Sequence, residues 1–100
     1  MKVVWSPLAL QRVQETALFI AADQPQAAAK WVESLFASVE RLQDFPNSGR
    51  FVPELNSKSI REVIFGAYRV FYRVRSDVEI LTIRRGSQLL RLDELEENDG

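Results

Sequence analysis

The chain has 100 residues, 46% of them hydrophobic, with no Cys and no His; it can bury one modest core, and it lacks disulfides, thiolate zinc sites, the commonest metal ligand and the usual neutral-pH base. The net charge of −1 divides unevenly: residues 41–91 hold ten basic against five acidic side chains, while 92–100 hold five acids and no base, a pattern that points to an anionic partner, nucleic acid or acidic protein. No apolar run of about 18 residues and no leader-like N-terminus is present, so a cytoplasmic protein without a membrane span, metal or cofactor is expected.

Lys2 to Trp5 reads as a short strand that ends at Ser6-Pro7, an N-cap followed by a favoured first helical residue. The first helix is predicted to run to about Ala22, with Leu10, Val13, Ala17 and Ile20 as its apolar stripe. Asp23-Gln24-Pro25 repeats the cap-and-proline signal. A longer second helix follows, with its stripe at Ala28, Trp31, Val32, Leu35, Val39 and Leu42, so the two helices form an antiparallel hairpin. Phe19 and Phe36 widen the stripes, as core or as a partner-binding face, and the core is the expected place for them.

Phe45 to Leu55, FPNSGRFVPEL, then turns sharply. Pro46, Gly49 and Pro53 shape it, Gly by permitting positive φ and Pro by fixing φ. Arg50 and Glu54 on this loop read either as a local ion pair, with Arg61, or as the edge of a working site. Ile60–Phe65, Tyr68–Arg75 and Val78–Arg84 read as a three-stranded meander with turns at Gly66-Ala67 and Ser76-Asp77. Arg61 and Glu62 are expected to pair across strands. In YRVFYRVR, period two puts Tyr68, Val70, Tyr72 and Val74 on the face that covers the helices. The opposite face carries Arg69, Phe71, Arg73 and Arg75. Three guanidiniums about 7 Å apart around one ring repel, which suits phosphates and bases or the carboxylates of a peptide.

In order, WSPLAL, AADQPQAAAKWVESL, LQDFPNSGRFVPEL, SIREVIFGAYRVFYRV and DVEILTIRR resemble the RelE/ParE superfamily of type II toxin–antitoxin toxins, over residues 1 to about 86. The resemblance implies an α+β fold, β-α-α-β-β-β, with the helical hairpin packed on one face of a mostly antiparallel four-stranded sheet. The toxin domain would span 1–91, and 92–100 would be a disordered acidic tail, unless Asp93 to Glu97 fold back on the arginine face as a self-inhibitor. A cognate antitoxin would lie across the toxin.

Two mechanisms follow from the resemblance. A ParE-like member binds and inhibits DNA gyrase. A RelE-like member enters the ribosome and cleaves mRNA without a metal; Glu54 would then be the general base, Arg69 the stabiliser of the phosphorane, and Arg85 (or Arg84) the holder of the leaving group. The RelE-like set also needs a distal His or Tyr, where this chain reads GSQLL, and that favours the gyrase-binding reading. Arg50, Arg61, Arg69, Phe71, Arg73, Arg75, Arg84 and Arg85 are the candidate surface for target or antitoxin. A non-toxic nucleic-acid-binding or adaptor domain is the third possibility.

Overall fold

The computed structural model describes residues 1–56, 58–86 and Leu95. In chain order they form β1 (Val3–Trp5), α1 (Pro7–Asp23), α2 (Pro25–Glu40), a 3-10 turn (Arg41–Gln43), β2 (Arg50–Phe51), β3 (Ile60–Phe65), β4 (Tyr68–Val74) and β5 (Val78–Arg85). The expected α+β plan holds, with two helices packed against a mixed sheet. That sheet has five strands, not four, in the order β1-β5-β4-β3-β2. The extra strand is the two-residue β2, which pairs antiparallel with β3 through Arg50 opposite Glu62 and Phe51 opposite Arg61. Two residues carry too little alternation to read as a strand. β1 runs parallel to β5, and the remaining pairs are antiparallel.

Ser6 joins the first strand to the first helix and is buried there. Its backbone N–H donates to the Ile80 carbonyl at 2.9 Å, its hydroxyl donates to the Leu81 carbonyl at 2.7 Å, and the same hydroxyl accepts from Ala9 N at 2.9 Å. One serine thus caps α1 and fixes the start of that helix to the middle of β5. At the hairpin the cap falls on Gln24 rather than Asp23, which closes α1. Gln24 N–H donates to Ile20 O, and its side chain makes no cap bond. A single linking residue leaves no room for a separate Asp cap.

The stripe of α2 packs as its spacing predicts, with Ala28, Leu35 and Val39 buried, and Leu42 continues it from the 3-10 turn that follows. The stripe of α1 is rotated: Ala9 and Val13 are buried, while Leu10 is exposed. The Ser6 anchor sets that rotation by placing Ala9, not Leu10, against the sheet. Phe36 joins the core and meets Trp5 at 4.6 Å between centroids. Phe19 does not; it is 72% exposed.

The faces of β4 separate as period two requires. Val70 and Tyr72 lie in the helix-side core, with Tyr68 and Val74 packed against it, and Trp31 meets the Tyr68 ring edge-on at 5.4 Å. On the opposite face Phe71 packs with Val52, Ile60, Leu81 and Leu95. A β-bulge makes this possible. The partner of Phe71 is Thr82 but that of Tyr72 is Ile80, so Leu81 is the extra residue and turns toward Phe71 while Ile80 and Ile83 stay with the helices. The acidic tail expected from residue 92 onward lies outside the described residues except for Leu95, which is 7% exposed. Among the described residues no helix is long and apolar enough to cross a membrane.

Candidate functional site

The loop after α2 is held from beneath. Tyr72, fully buried in β4, accepts a hydrogen bond from Gly49 N at 2.8 Å and donates to the Pro46 carbonyl at 2.9 Å. Burial pushes the Tyr72 phenol up from its ordinary pKa, which keeps it a donor. Gly49 does not use positive φ, contrary to expectation; Gly66 is the described residue that does. What Gly49 provides is close approach, since a Cβ there would sit 2.5 Å from the Tyr72 hydroxyl and 2.7 Å from the Glu62 carbonyl oxygen. Arg61 completes the clamp by donating to the Gly49 carbonyl at 2.8 Å and the Asn47 carbonyl at 3.2 Å, with its guanidinium 4.2 Å above the Phe51 ring.

This clamp delivers the loop acid to the sheet. Arg69 donates from Nη1 and Nη2 to both oxygens of Glu54, each at 2.7 Å. Through Nε and Nη2 it also holds both oxygens of Glu62, at 2.8 and 2.7 Å. The Glu62 side chain has no exposure and that of Arg69 only 11%, while Glu54 is 45% exposed. Arg50, on the solvent side, reaches Glu62 at 3.5 Å. The expected pairing is thereby redrawn. Arg50 pairs with Glu62 and Glu54 with Arg69, while Arg61 turns away to the loop carbonyls because neighbouring strand residues point to opposite faces. Glu62 is the residue that sequence reasoning misread; its place on the Phe71 face was legible from alternation.

Electrostatics follow from the geometry. The hydrogen bonds from Arg69 hold the Glu54 carboxyl below its usual range, despite a smaller upward push from burial. Glu62 first, then Glu54, raises Arg69 still further above its already high value. At the other end of the face, Arg73 donates to Glu79 at 2.9 Å and Arg75 at 3.1 and 3.2 Å. Burial pushes Glu79 up, but these bonds outweigh it and its pKa is lowered. The face is therefore not three bare guanidiniums repelling one another. Carboxylates are interleaved with them, and Phe71 lies 4.8 Å beneath Arg69.

A pH dependence follows. A carboxyl whose folded pKa is below its unfolded value contributes stability that is complete above the unfolded value and is lost as pH falls through the folded one. For Glu54 and Glu79 that loss begins near the ordinary 4.5 and continues below it. The thermal midpoint should be level from neutral pH to about 5 and fall on further acidification. Glu54→Gln with Glu79→Gln should flatten the acid limb, and an acid limb unchanged by both substitutions would count against this assignment.

The three residues of the candidate nuclease set do not converge. Glu54 and Arg69 touch, whereas Arg85 lies opposite Tyr68 on the helix side and lines a groove of about 280 Å³ with Arg12, Thr16 and Phe19. Arg84, opposite Arg69, shares the sheet face. An open cleft of about 390 Å³ beside Glu54 and Arg69 is bordered by Arg50, Ile64 and Tyr68. Among the described residues no group of three acidic side chains could hold a metal ion.

Comparison with known proteins agrees with this architecture. A solved structure described as a chromosomal ParDE toxin–antitoxin system from P. aeruginosa superposes with a TM-score of 0.74 at 21% identity, covering 85% of this chain and 95% of the other. A Sinorhizobium fredii (strain NBRC 101917 / NGR234) protein named "Putative toxin Y4kP" is 36% identical over 89 residues, 87% of this chain and 90% of that protein. The family model for the ParE toxin of the type II toxin–antitoxin system, parDE, matches residues 3–90, and the chain therefore belongs to the ParE family of type II toxins.

Proposed function

We propose that this toxin acts in the cytoplasm by binding and inhibiting DNA gyrase, without chemistry of its own, and that a cognate antitoxin neutralises it by covering the arginine-bearing sheet face. The observation that carries the reading is the closure of Arg69 between Glu54 and Glu62. All three guanidinium nitrogens are engaged by carboxylates, so the group is poorly placed to receive a developing phosphorane charge. Glu54 is a weakened base, because the ion pair lowers its pKa. The chain has no His, and Tyr72 spends its hydroxyl on the Pro46 and Gly49 backbone, so neither supplies an acid for a leaving oxygen; Tyr68, at the border of the cleft, is the remaining phenol. Arg50, Arg75 and the apolar Ile64 remain accessible on this face, a mixture that suits a protein partner with acidic and apolar side chains.

The test pairs two assays on the purified protein. Supercoiling of relaxed plasmid by gyrase should be inhibited, while mRNA on translating ribosomes should show no new 3′ ends. Glu54→Gln separates the mechanisms further. In a binding toxin it alters one half-exposed ion pair and should leave inhibition nearly unchanged, whereas a nuclease losing its general base should slow by about 10²–10⁴. Codon-positioned cuts abolished by Glu54→Gln, with supercoiling unaffected, would overturn the proposal in favour of an mRNA nuclease. Expression alone should be toxic and should be relieved by a co-expressed, co-purifying antitoxin.

A further inference from the structure

The sheet face opposite the helices is charged at both ends and apolar at its centre. Arg69 with Glu54 and Glu62 occupies one end, and Arg73 and Arg75 with Glu79 the other. Between them Val52, Ile60, Phe71 and Leu81 form a buried cluster separate from the core beneath the helices. Leu95 closes this cluster although it lies 14 residues beyond Leu81 in the sequence, in the most acidic stretch of the chain.

We propose that Val52, Ile60, Phe71 and Leu81 form a seat for one apolar side chain, filled by Leu95 in the free toxin and yielded to an apolar residue of an acidic antitoxin segment when the complex forms. This rests on the proposed pairing with an antitoxin. Leu95 shows the chemistry of the fitting ligand: it is flanked in sequence by Asp93, Glu94, Glu96 and Glu97, so an apolar anchor between carboxylates is what the arginine-bordered seat accepts. Apolar burial supplies the attraction, and the exposed Arg50 and Arg75 at the two ends of the face supply the preference for an acidic segment. Thr82 leaves one polar group beside the seat unsatisfied. It pairs with Phe71 across the strands, and its buried hydroxyl has no hydrogen-bond partner among the described residues. A leucine side chain offers nothing to that oxygen, whereas a bound segment also brings backbone donors and acceptors.

The test uses full-length toxin with labelled Ile and Leu methyl groups and, as probe, a synthetic peptide of residues 91–100. In the wild-type chain the intramolecular anchor acts at an effective concentration on the order of mM, so the soluble peptide competes poorly. In Leu95→Ala the seat is vacated, and the apparent affinity read on the Ile60 and Leu81 methyls should tighten by at least about tenfold. The same peptide with its own leucine at 95 replaced by alanine should lose that gain. Equal peptide affinity for the wild-type chain and Leu95→Ala overturns the proposal. Should Leu95→Ala prove unfolded, the wild-type Leu95 methyls decide: they should lose their Phe71 ring-current shift when the co-purified antitoxin is bound, and an unaltered shift in the complex refutes exchange. If no antitoxin co-purifies, the antitoxin pairing itself fails, while the peptide arm still judges the seat.

Discussion

Arg69→Met should be the most damaging single substitution on the sheet face, lowering the unfolding free energy by about 3–5 kcal/mol, the range for a buried ion pair that loses one partner. The cause is Glu62. Its side chain is fully buried, Arg69 grips both of its oxygens, and among the described residues the other cation paired with it is Arg50, 3.5 Å away and 62% exposed. Without Arg69 a carboxylate remains in a site that water does not reach. Arg69→Lys should recover little, because an ammonium cannot present the planar fork that holds two carboxylates at once. Replacing both members, Arg69→Met with Glu62→Met, removes the uncompensated charge and should regain much of the loss, as exchange of a buried pair for apolar groups often does. Urea unfolding of the two single variants and the double variant gives the coupling directly. Additive losses would show that Glu62 does not depend on Arg69. Charge reversal at Arg69 should destabilise this face for the same reason, so loss of gyrase inhibition in such a variant would not locate a binding residue. Arg50 and Arg75, both exposed, are the positions where a substitution reads recognition rather than stability.

Much of the fold was legible because local signals agreed with one another. Ser6-Pro7 marked the start of α1, spacings of three and four gave the stripe of α2, and period two separated Tyr68, Val70, Tyr72 and Val74 from Phe71. What escaped depends on contacts between segments distant in sequence. The rotation of α1 follows from Ser6 bonding to Leu81, 75 residues away, and no helical spacing reports it. Similarly, β2 exists because Arg50-Phe51 meets β3. At the site, the sequence shows which residues are charged but not which charges meet. Arg50 and Glu54 sit close enough in the chain to invite a mutual pair, yet the clamp on the loop sends Glu54 to Arg69. The arginines of β4 resembled an open cationic face because their counterions come from β3, β5 and the loop.

The same clamp makes Gly49 the position where the smallest change should have a large effect. Gly49→Ala should cost about 3 kcal/mol, the upper end for forcing extra volume into a packed site. The added methyl would lie 2.5 Å from the Tyr72 hydroxyl, 2.7 Å from Tyr72 Cε1 and 2.7 Å from the Glu62 carbonyl. One of these neighbours is backbone of a central strand pair and the other two belong to a fully buried ring, so neither can retreat cheaply. Tyr72→Phe tests the account from the other side. It removes the hydroxyl that serves Gly49 N and Pro46 O, and leaving such groups unpaired costs about 1–3 kcal/mol. It also removes one of the three clashes. Gly49→Ala should therefore cost less in the Tyr72→Phe background than in the native chain, but not become neutral, because the Glu62 carbonyl still blocks the methyl. Equal costs in both backgrounds would mean that the loop shifts as a body and that Gly49 is not a packing requirement. The expected inequality ties the loop to the site, since the loop anchored at Gly49 N runs on through Arg50 to Glu54, which meets Arg69.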